Sequence, residues 1–469
     1  MSPPGDHMTP DEFRRSGRAV VDWLADYYER LESLPVLAPV APGEIRARLP
    51  AEAPERGEPF AAILDDVDAK LLDGVTHWQH PSFFGYFPAN ASGPSILGEL
   101  LSAGLAVQGM LWSTSPACTE LETHVLGWLA RLCALPERLV AEPAGAVIQD
   151  SASSAALCAI VAARERARRA GADPATLTAY LGAHTHSSVE KGLRVAGVGG
   201  EQLRLVDSGA GGGLDPAALA AALARDAAEG RRPFFVCATA GATASLVFDP
   251  VAAVAAAATR YGAWVHVDGA LAGAAAVCSE LRFVNAGLDR VDSYCFNPHK
   301  WLLTNFDCDC FYVADRAELV SALSILPDYL RNAATESGQV IDYRDWQVPL
   351  GRRFRALKLW FVLRWYGAEG LRRHIRRGVA LAEELAGWVA EDPEWELAAP
   401  PRLSLVCLRS RAGDDATQAA LDRVNASGAA FVTHARVDGR LALRVAVGAP
   451  LTERRHLEAL WAAVRTAAA

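Results

Sequence analysis

The sequence lacks several features that would place it in common protein classes. Its 469 residues contain no apolar run long enough to cross a membrane, and the first residues lack the basic and apolar regions of a secretory signal. The net charge of -9 argues against the basic surface of a nucleic-acid-binding protein. No Gly-x-Gly-x-x-Gly turn marks a nicotinamide site. We therefore expect a cytoplasmic protein without membrane or nucleic-acid partners.

Cysteine is present, but in a number and distribution that do not suit a disulfide framework. The nine cysteines are odd in number and scattered through apolar runs, which indicates free thiols in a reducing compartment. Cys308 and Cys310 are the only close pair of cysteines, and His184 and His186 are a close pair of histidines. Because no second matching pair completes a ligand set, we predict no metal site.

The composition is that of an ordinary globular protein, 51% hydrophobic and 22% charged, and long enough for at least two domains. From about residue 88, helix-length segments alternate with short apolar strands, which predicts a mainly parallel sheet covered by helices. We expect an N-terminal helical arm at residues 1–85, a large domain at 86–357 and a small α/β domain at 358–469. Clear strand candidates lie at residues 234–238, 264–267, 310–313, 403–408 and 441–447.

The N-terminal and glycine-rich segments have simple interpretations. Thr9, followed by Pro and two acidic residues, predicts the start of a helix that reaches about residue 31. The Pro-rich stretch 34–59 is a poor candidate for a core and favours an arm that lies on another surface. Two further helices are predicted at 354–366 and 372–389. The glycines of residues 209–213 indicate a surface loop.

One lysine stands in an apolar and aromatic stretch, SYCFNPHKWL at residues 293–302. Because apolar surroundings disfavour the ammonium form, Lys300 would lose its proton readily and could attack a carbonyl carbon to form a Schiff base. Pyridoxal phosphate (PLP) carries such a carbonyl. Taken alone, the pattern also fits a lysine whose stem lies along apolar surface while its amine reaches water.

A carboxylate ends a short Val-rich run upstream of this lysine. The segment GAWVHVDG at residues 262–269 stops at Asp268 as a buried parallel strand stops when its carboxyl edge carries chemistry. A PLP enzyme needs a carboxylate against the pyridine nitrogen, because the protonated ring accepts electrons from the substrate Cα. Asp268 is our candidate, although an Asp-Gly pair is also common in turns.

A serine-rich turn could hold the phosphate. Residues 146–154 read AVIQDSASS between a predicted strand and a predicted helix, whose arginines gather at the far end. The hydroxyls of Ser151, Ser153 and Ser154 and the first amides of the helix would meet an anion there. An ordinary helix cap has the same composition, so this turn alone is weak evidence.

Six segments occur together in a characteristic order. They are HPSFFGYFP at 80–88, SPACTELE at 115–122, VIQDSAS at 147–153, HSSVE at 186–190, FNPHKWL at 296–302 and DYRDWQVPLGRRF at 342–354. No single segment is decisive, but the ordered set is specific. The sequence resembles the PLP-dependent group II decarboxylases, most closely the aromatic L-amino acid decarboxylases.

The resemblance implies a fold and an assembly. The fold would be the PLP-dependent transferase fold of type I, an α/β fold with a mainly parallel, seven-stranded central sheet covered by helices. The protein would be a homodimer with a shared active site, in which the N-terminal arm packs on the partner subunit.

The resemblance also implies roles for individual residues. Lys300 would carry PLP as a Schiff base, and Asp268 would pair with the pyridine nitrogen. His186 would stack on the ring, and Tyr329, in the polar stretch 326–338, would lie on a catalytic loop. The residues implied to surround the cofactor are Ala152, Ser153, His186, Thr243, Asp268, Ala270, Asn297, His299 and Lys300. Those implied to bind the substrate are Trp78, Tyr86, Phe87, Pro88, Leu350 and Gly351, with Met110 and Leu111 of the partner subunit.

The implied reaction is the decarboxylation of an aromatic L-amino acid, such as tryptophan, 5-hydroxytryptophan, dopa, phenylalanine or tyrosine, to an arylalkylamine. Gly351 stands where phenol-preferring plant members tend to have Ser, which favours tryptophan or a broad aromatic range. Ala89, Asp150, Ser154 and Met110 also depart from the common pattern. These departures leave the expected cofactor unchanged and bear on which substrate is used. Two alternatives stay open: an aromatic acetaldehyde synthase, and a group II decarboxylase acting on a non-aromatic amino acid.

Overall fold

The computed structural model describes residues 7–325, 333–336 and 339–466. The helices in these ranges are α1 Pro10–Arg30, α2 Glu44–Arg48, α3 Phe60–Asp66, α4 Gly93–Leu105, α5 Pro116–Leu132, α6 Ala152–Arg169, α7 Ser187–Val195, α8 Pro216–Ala228, α9 Val251–Thr259, α10 Pro298–Trp301, α11 Arg316–Leu323, α12 Ala333–Glu336, α13 Arg355–Glu391, α14 Asp414–Ala426 and α15 Arg454–Thr466. The strands are β1 Gly145–Gln149, β2 Leu177–Gly182, β3 Leu203–Val206, β4 Arg232–Thr239, β5 Trp264–Asp268, β6 Ser293–Phe296, β7 Asp309–Val313, β8 Trp395–Leu397, β9 Leu405–Ser410, β10 Thr433–Val437 and β11 Arg440–Ala446.

The larger sheet has seven strands in the order β1-β7-β6-β5-β4-β2-β3. Most neighbours run parallel, but β7 is antiparallel to both β1 and β6. The mainly parallel sheet predicted from the alternation of strands and helices is therefore confirmed. Because β7 is reversed, its first residue lies at the same edge as the last residues of β1, β2, β4, β5 and β6. That edge carries the predicted site.

Both faces of this sheet are covered, which explains why its strands are apolar throughout. Successive side chains point to opposite faces, so Val236 and Val265 pack on one side and Phe235 and Trp264 on the other. The first core includes residues of α5, α8, α9 and the first part of α13. The second core includes residues of α6, α7 and α11.

A second sheet, in the order β10-β11-β9-β8, is antiparallel. It packs with the second part of α13, α14 and α15 around its own core. The α13 backbone is interrupted at Gly367, whose φ of 61° is one that glycine tolerates without strain. This break separates the two helices that the sequence predicted at 354–366 and 372–389. Residue 358 lies within α13, so the chain passes from one sheet to the other along this helix.

The N-terminal region differs from the rest of the described chain because few of its side chains are buried. Thr9 caps α1 as predicted, since its hydroxyl accepts a hydrogen bond from Glu12 N at 3.2 Å and the Glu12 carboxylate accepts one from Thr9 N at 2.8 Å. None of the side chains of α1 is buried within the chain. The stretch 34–59 is irregular apart from α2. In the part of the chain that the structure describes, no helix is long and apolar enough to span a bilayer.

Candidate active site

Lys300 lies on α10, the short helix that follows β6, and its backbone is fixed on both sides. Asn297 N donates to Ala270 O at 2.9 Å, and Asn90 N donates to His299 O at 2.8 Å. Cys308 N donates to Nδ1 of His299 at 2.9 Å. Burial lowers the pKa of His299 to about 4, and the positive charge of Lys300 adds to this shift, so its imidazole stays neutral and able to accept. These hydrogen bonds hold the backbone on both sides of Lys300 in place.

The amine of Lys300 points at an aromatic ring. Its Nζ lies 5.3 Å from the centroid of Phe87, within cation–π range. Burial lowers the pKa of the Lys300 ammonium, and the charge of Asp268 opposes that shift. A lysine that gives up its proton easily is suited to bond a carbonyl carbon, which is the chemistry predicted for it.

Asp268 is the last residue of β5 and is 7% exposed. Its Oδ1 accepts a hydrogen bond from Ala270 N at 2.9 Å. In the sheet it lies between Thr239 of β4 and Cys295 of β6. The alternative interpretation, a turn aspartate, is correct in part, because the bond to Ala270 is a turn contact. The same carboxylate is also close enough to Lys300 to act on its pKa.

Ala152 and Ser153 are the first two residues of α6, whose cap is Ser151. Ser151 Oγ accepts a hydrogen bond from Ser154 N at 3.4 Å and donates one to Asp150 Oδ1 at 2.7 Å. The first amides of this long helix point toward the carboxyl edge of the sheet. They form the kind of helix end that binds phosphate.

Three buried side chains at this edge have no hydrogen-bond partner among the described residues. They are Thr239 through Oγ1, Asn297 through Oδ1 and Asp309 through both carboxyl oxygens. Buried polar groups are nearly always paired, so such a cluster indicates a polar ligand. Together with the Lys300 amine, the Asp268 carboxylate and the start of α6, these groups fit PLP.

His186 and Thr243 follow β2 and β4 at the same edge of the sheet. His186 caps α7 and is exposed, and its Nδ1 accepts a hydrogen bond from Ser188 N at 3.2 Å. One ring nitrogen is thus fixed while the ring face stays accessible, as stacking on a cofactor requires. Thr243 is exposed in the turn after β4.

The predicted substrate residues form two groups within the chain. In the first, Phe87 lies beside Lys300, and the rings of Trp78 and Tyr86 stack at 5.5 Å. Pro88 packs against Gly448, where an added Cβ would lie 2.6 Å from the proline Cγ. This first group therefore forms an aromatic surface that reaches the lysine.

The second group lies on the segments 108–111 and 342–352. Met110 O accepts a hydrogen bond from Arg344 N at 3.0 Å, and Leu111 is buried beside it. Leu350 is exposed, and a Cβ on Gly351 would lie 3.1 Å from Nε2 of Gln108. A cavity of about 680 Å³ is lined by residues that include Gln108, Gln149, Asp150 and Gly351. The predicted role of Met110 and Leu111 in a partner's site stays a prediction.

Tyr329, predicted to act on a catalytic loop, lies outside the described residues. Its role therefore stays a prediction that rests on the sequence alone.

Arg444 is a residue of the site that the sequence analysis missed. It lies on β11, and its guanidinium carbon is 5.4 Å from the centroid of Phe87. It donates to Tyr86 O at 3.2 Å and to Ala244 O at 3.1 Å, while its Nη2 has no hydrogen-bond partner in the described ranges. An arginine inside the apolar run of residues 441–447 was the signal that could have identified it.

The sequence analysis also missed a buried ion pair, which joins three of the segments around the site. Arg352 donates to both carboxylate oxygens of Glu122, at 2.7 and 3.1 Å, and also to Ile148 O at 3.0 Å. Ile148 N donates to the same carboxylate at 2.8 Å. The guanidinium lies 4.8 Å from the ring centroid of Tyr343. These bonds join α5, β1 and the segment 342–352, three of the segments on which the resemblance was based.

Comparison with known proteins agrees with this geometry. A model of the pyridoxal-dependent decarboxylase conserved domain matches residues 42–411. A phenylacetaldehyde synthase from Arabidopsis thaliana is 44% identical over 466 residues, which cover 97% of this chain and 95% of the plant protein. Tryptophan decarboxylase 2 from Oryza sativa subsp. japonica is 41% identical over 470 residues, which cover 98% of this chain and 95% of that protein.

The fold is shared as well. The crystal structure of Oryza sativa TDC with PLP and tryptamine has a TM-score of 0.97 to this chain at 40% identity, and the match covers 99% of both chains. The predicted fold of the PLP-dependent decarboxylases is therefore confirmed. Because the family model matches most of the chain and the relatives match nearly all of it, this chain belongs to the pyridoxal-dependent decarboxylase family.

Proposed function

We propose that the protein removes CO2 from aromatic L-amino acids and releases the corresponding arylalkylamine. One observation carries the proposal: the amine of Lys300 lies beside the Phe87 ring and is close enough to Asp268 for that charge to act on its pKa. Family membership makes the chain a PLP-dependent carboxy-lyase. The aromatic surface of Trp78, Tyr86 and Phe87 supports an aromatic substrate.

Bound PLP supplies an electron sink for the bond between the substrate Cα and its carboxylate. Lys300 would hold PLP through Nζ, and the start of α6 would hold its phosphate. Asp268 would keep a proton on the pyridine nitrogen, and His186 would cover one face of the ring. Arg444 is a buried cation beside Phe87, and its Nη2, which has no partner among the described residues, would orient the substrate carboxylate.

The experiment is a substrate panel. The purified protein, loaded with PLP, is incubated with tryptophan, 5-hydroxytryptophan, dopa, tyrosine, phenylalanine, histidine and glutamate. We expect CO2 and amine from the aromatic substrates and little from glutamate. The same panel with Lys300→Ala serves as the control. Turnover of glutamate alone would contradict an aromatic substrate while leaving the family unchanged.

Among aromatic substrates we favour tryptophan or a broad range. A Cβ on Gly351 would press on the amide of Gln108, and that amide oxygen accepts a hydrogen bond from Arg352 N at 3.0 Å. Gly351→Ser should therefore shift the Gln108 side chain and lower kcat/KM for tryptophan relative to tyrosine. Gly211→Ser makes the same change at an exposed position of the loop 209–213, where an added Cβ would meet nothing within 4 Å, and is the matched control. An unchanged ratio in Gly351→Ser would contradict the role of this glycine.

Aldehyde synthesis is the second candidate, because the Arabidopsis relative is a phenylacetaldehyde synthase. The two outcomes differ in whether the carbanion at Cα receives a proton or reacts with dioxygen. A phenol that donates the proton favours the amine, and Tyr329 is our candidate for that donor. Tyr329→Phe should lower amine production and raise oxygen uptake, aldehyde, ammonia and peroxide. Amine production at the original rate, without oxygen uptake, would remove Tyr329 from the mechanism.

We also propose a homodimer with a shared active site. Two features support it: α1 buries none of its side chains, and α4 exposes Leu97, Leu100, Leu101 and Leu105, each 47–59% exposed. An exposed apolar stripe of this kind commonly lies in an interface. Leu97→Glu with Leu101→Glu should give monomers with little activity in light scattering after gel filtration. Leu205→Glu, at a leucine that is 70% exposed on β3, should leave the mass unchanged.

We propose a cytoplasmic location as well. The nine cysteines of the sequence are all buried and free of disulfides, which suits a reducing compartment. Fractionation of cells that express a tagged chain tests this directly. Recovery in the membrane or the secreted fraction would contradict it.

A further inference from the structure

Asp309 is a buried acid for which the proposed reaction has no use. It is the first residue of β7, it has no exposed surface, and neither carboxyl oxygen has a hydrogen-bond partner in the described part of the chain. A buried carboxylate without a partner is among the costliest arrangements in a protein. Its presence therefore calls for a ligand, a proton, or both.

The register of the sheet places Asp309 at the carboxyl edge, next to the strand that leads into α6. It lies directly opposite Gln149, the last residue of β1, and α6 begins shortly after that strand. Asp309 shares its sheet face with Phe311, which packs in the core beneath α6, and Asp268 shares the same face with Trp264. Asp309 therefore faces the space between Asp268 and the start of α6, where the phosphate is expected.

The charges around Asp309 disfavour a second negative charge. Asp150 and Asp268 are neighbouring acids, and Lys300 is a neighbouring cation that acts on it. Its other titratable neighbours include thiols and phenols, namely Cys158, Tyr294, Cys295, Cys308, Cys310 and Tyr312. Burial, then Asp268, raises the pKa of Asp309 well above its usual range, and Lys300 does not offset this.

We propose that Asp309 is a contact residue of the cofactor phosphate and that it carries a proton while PLP is bound. This inference rests on the proposed function, since it needs a PLP phosphate at the start of α6. A carboxylate and a phosphate would repel each other in an apolar cavity. A neutral carboxyl group can instead donate a hydrogen bond to a phosphate oxygen. Where Asp309 is ionised in the cofactor-free protein, PLP binding then takes up one proton from solvent.

Proton uptake on PLP binding determines whether the affinity for PLP rises or falls with pH. When PLP binding takes up a proton, affinity falls as pH rises through the pKa of Asp309, by up to about tenfold per pH unit. Lys300 works in the opposite direction, because a deprotonated amine bonds the carbonyl more readily. A comparison between the wild type and a variant at residue 309 cancels the contribution of Lys300.

The experiment measures PLP binding to the full-length, cofactor-free protein between pH 6 and 10. Dissociation constants come from tryptophan fluorescence for the wild type, Asp309→Asn and Asp309→Ser. Asp289→Asn removes the same charge at a site that is 63% exposed and serves as the control. Pyridoxal, which lacks the phosphate, is titrated in parallel. Calorimetry in two buffers of different ionisation enthalpy counts the protons taken up by the wild type, so the test does not depend on a variant that folds.

We expect the two Asp309 variants to bind PLP at least tenfold more tightly than the wild type at high pH and about equally at pH 6. The control should follow the wild type, and pyridoxal should show no such divergence. Parallel pH profiles for PLP, the same divergence for pyridoxal, or no phosphate-dependent proton uptake would overturn the role of Asp309 alone. A wild type that binds no PLP at any pH would overturn the proposed function as well.

Discussion

Two groups of buried polar side chains lie beside the large sheet, and they differ in how far the chain itself pairs them. The Glu122–Arg352 pair beside β1 is bonded within the chain, since two hydrogen bonds join the ions and backbone groups of Ile148 bond both, and among the described residues Arg352 Nε alone of the guanidinium nitrogens has no partner. At the carboxyl edge, Asn297, Thr239 and Asp309 have polar atoms without a hydrogen-bond partner in the described ranges, and nothing within the described chain pairs the Asp309 carboxyl group. The comparison teaches that an ion pair buried for structure is matched largely within the chain, whereas polar groups buried for chemistry are left for a ligand to match.

The contrast has an energetic side. Removing one ion from the Glu122–Arg352 pair leaves the other buried and unpaired, so stability should fall steeply. Removing a charge from the carboxyl edge breaks no ion pair within the chain, so catalysis or cofactor binding should change while stability is kept or increased. Variants in the two regions should therefore separate activity from stability.

The largest effect is expected from Lys300→Ala. Without an amine at this position no covalent bond to PLP can form, and kcat should fall by at least about 10⁴. The purified wild type should be yellow, and borohydride should fix PLP to it, whereas the variant should give neither result. Lys191→Ala, at an exposed lysine, is the control. Normal turnover and a reducible PLP adduct in Lys300→Ala would refute the central assignment.

The second effect concerns stability. Arg352→Leu should lower the free energy of unfolding by about 3–5 kcal/mol, because the Glu122 carboxylate stays buried without its partner. Glu122→Leu combined with Arg352→Leu should recover part of this loss. Urea unfolding measures both changes. A loss in the double variant equal to the sum of the losses in Arg352→Leu and Glu122→Leu would show that the pair is not coupled.

The third effect separates activity from stability at the carboxyl edge. Asp268→Asn should lower kcat by about 10²–10³, because an amide cannot keep the pyridine nitrogen protonated. Urea unfolding should show stability similar to that of the wild type, in contrast to Arg352→Leu. Near-normal turnover would contradict the role of Asp268, and a large loss of stability would contradict the comparison.

The smallest effect is expected at His266 of β5 and concerns the pH dependence of stability. Burial lowers the pKa of His266 to about 4, so the folded state keeps this imidazole neutral while the unfolded state protonates it near pH 6.5. The unfolded state therefore binds more protons between these values, and stability falls as pH drops from 6.5 to about 4, by up to about 3 kcal/mol. His266→Gln should flatten this part of the stability profile in thermal melts. An unchanged slope would show that His266 does not titrate on unfolding.

The features that the sequence predicted well are local ones. The cap at Thr9, the break between the two halves of α13, and the positions of Lys300 and Asp268 at strand ends all follow from residues close in sequence. The pairing of Glu122 with Arg352 and the approach of Arg444 to Phe87 depend on the order of strands in the sheet, which no local pattern encodes. The reversed direction of β7 also depends on the whole sheet. Because the sequence did not indicate this reversal, it gave no reason to place Asp309 near the cofactor.

The contact between Arg444 and the Phe87 region also bears on biosynthesis. The lysine and the aromatic surface are synthesised before Arg444, which contacts Tyr86 across 358 positions of sequence. The pocket is therefore complete only after β11 has been synthesised. Nascent chains stalled before β11 should lack substrate binding even when PLP is abundant.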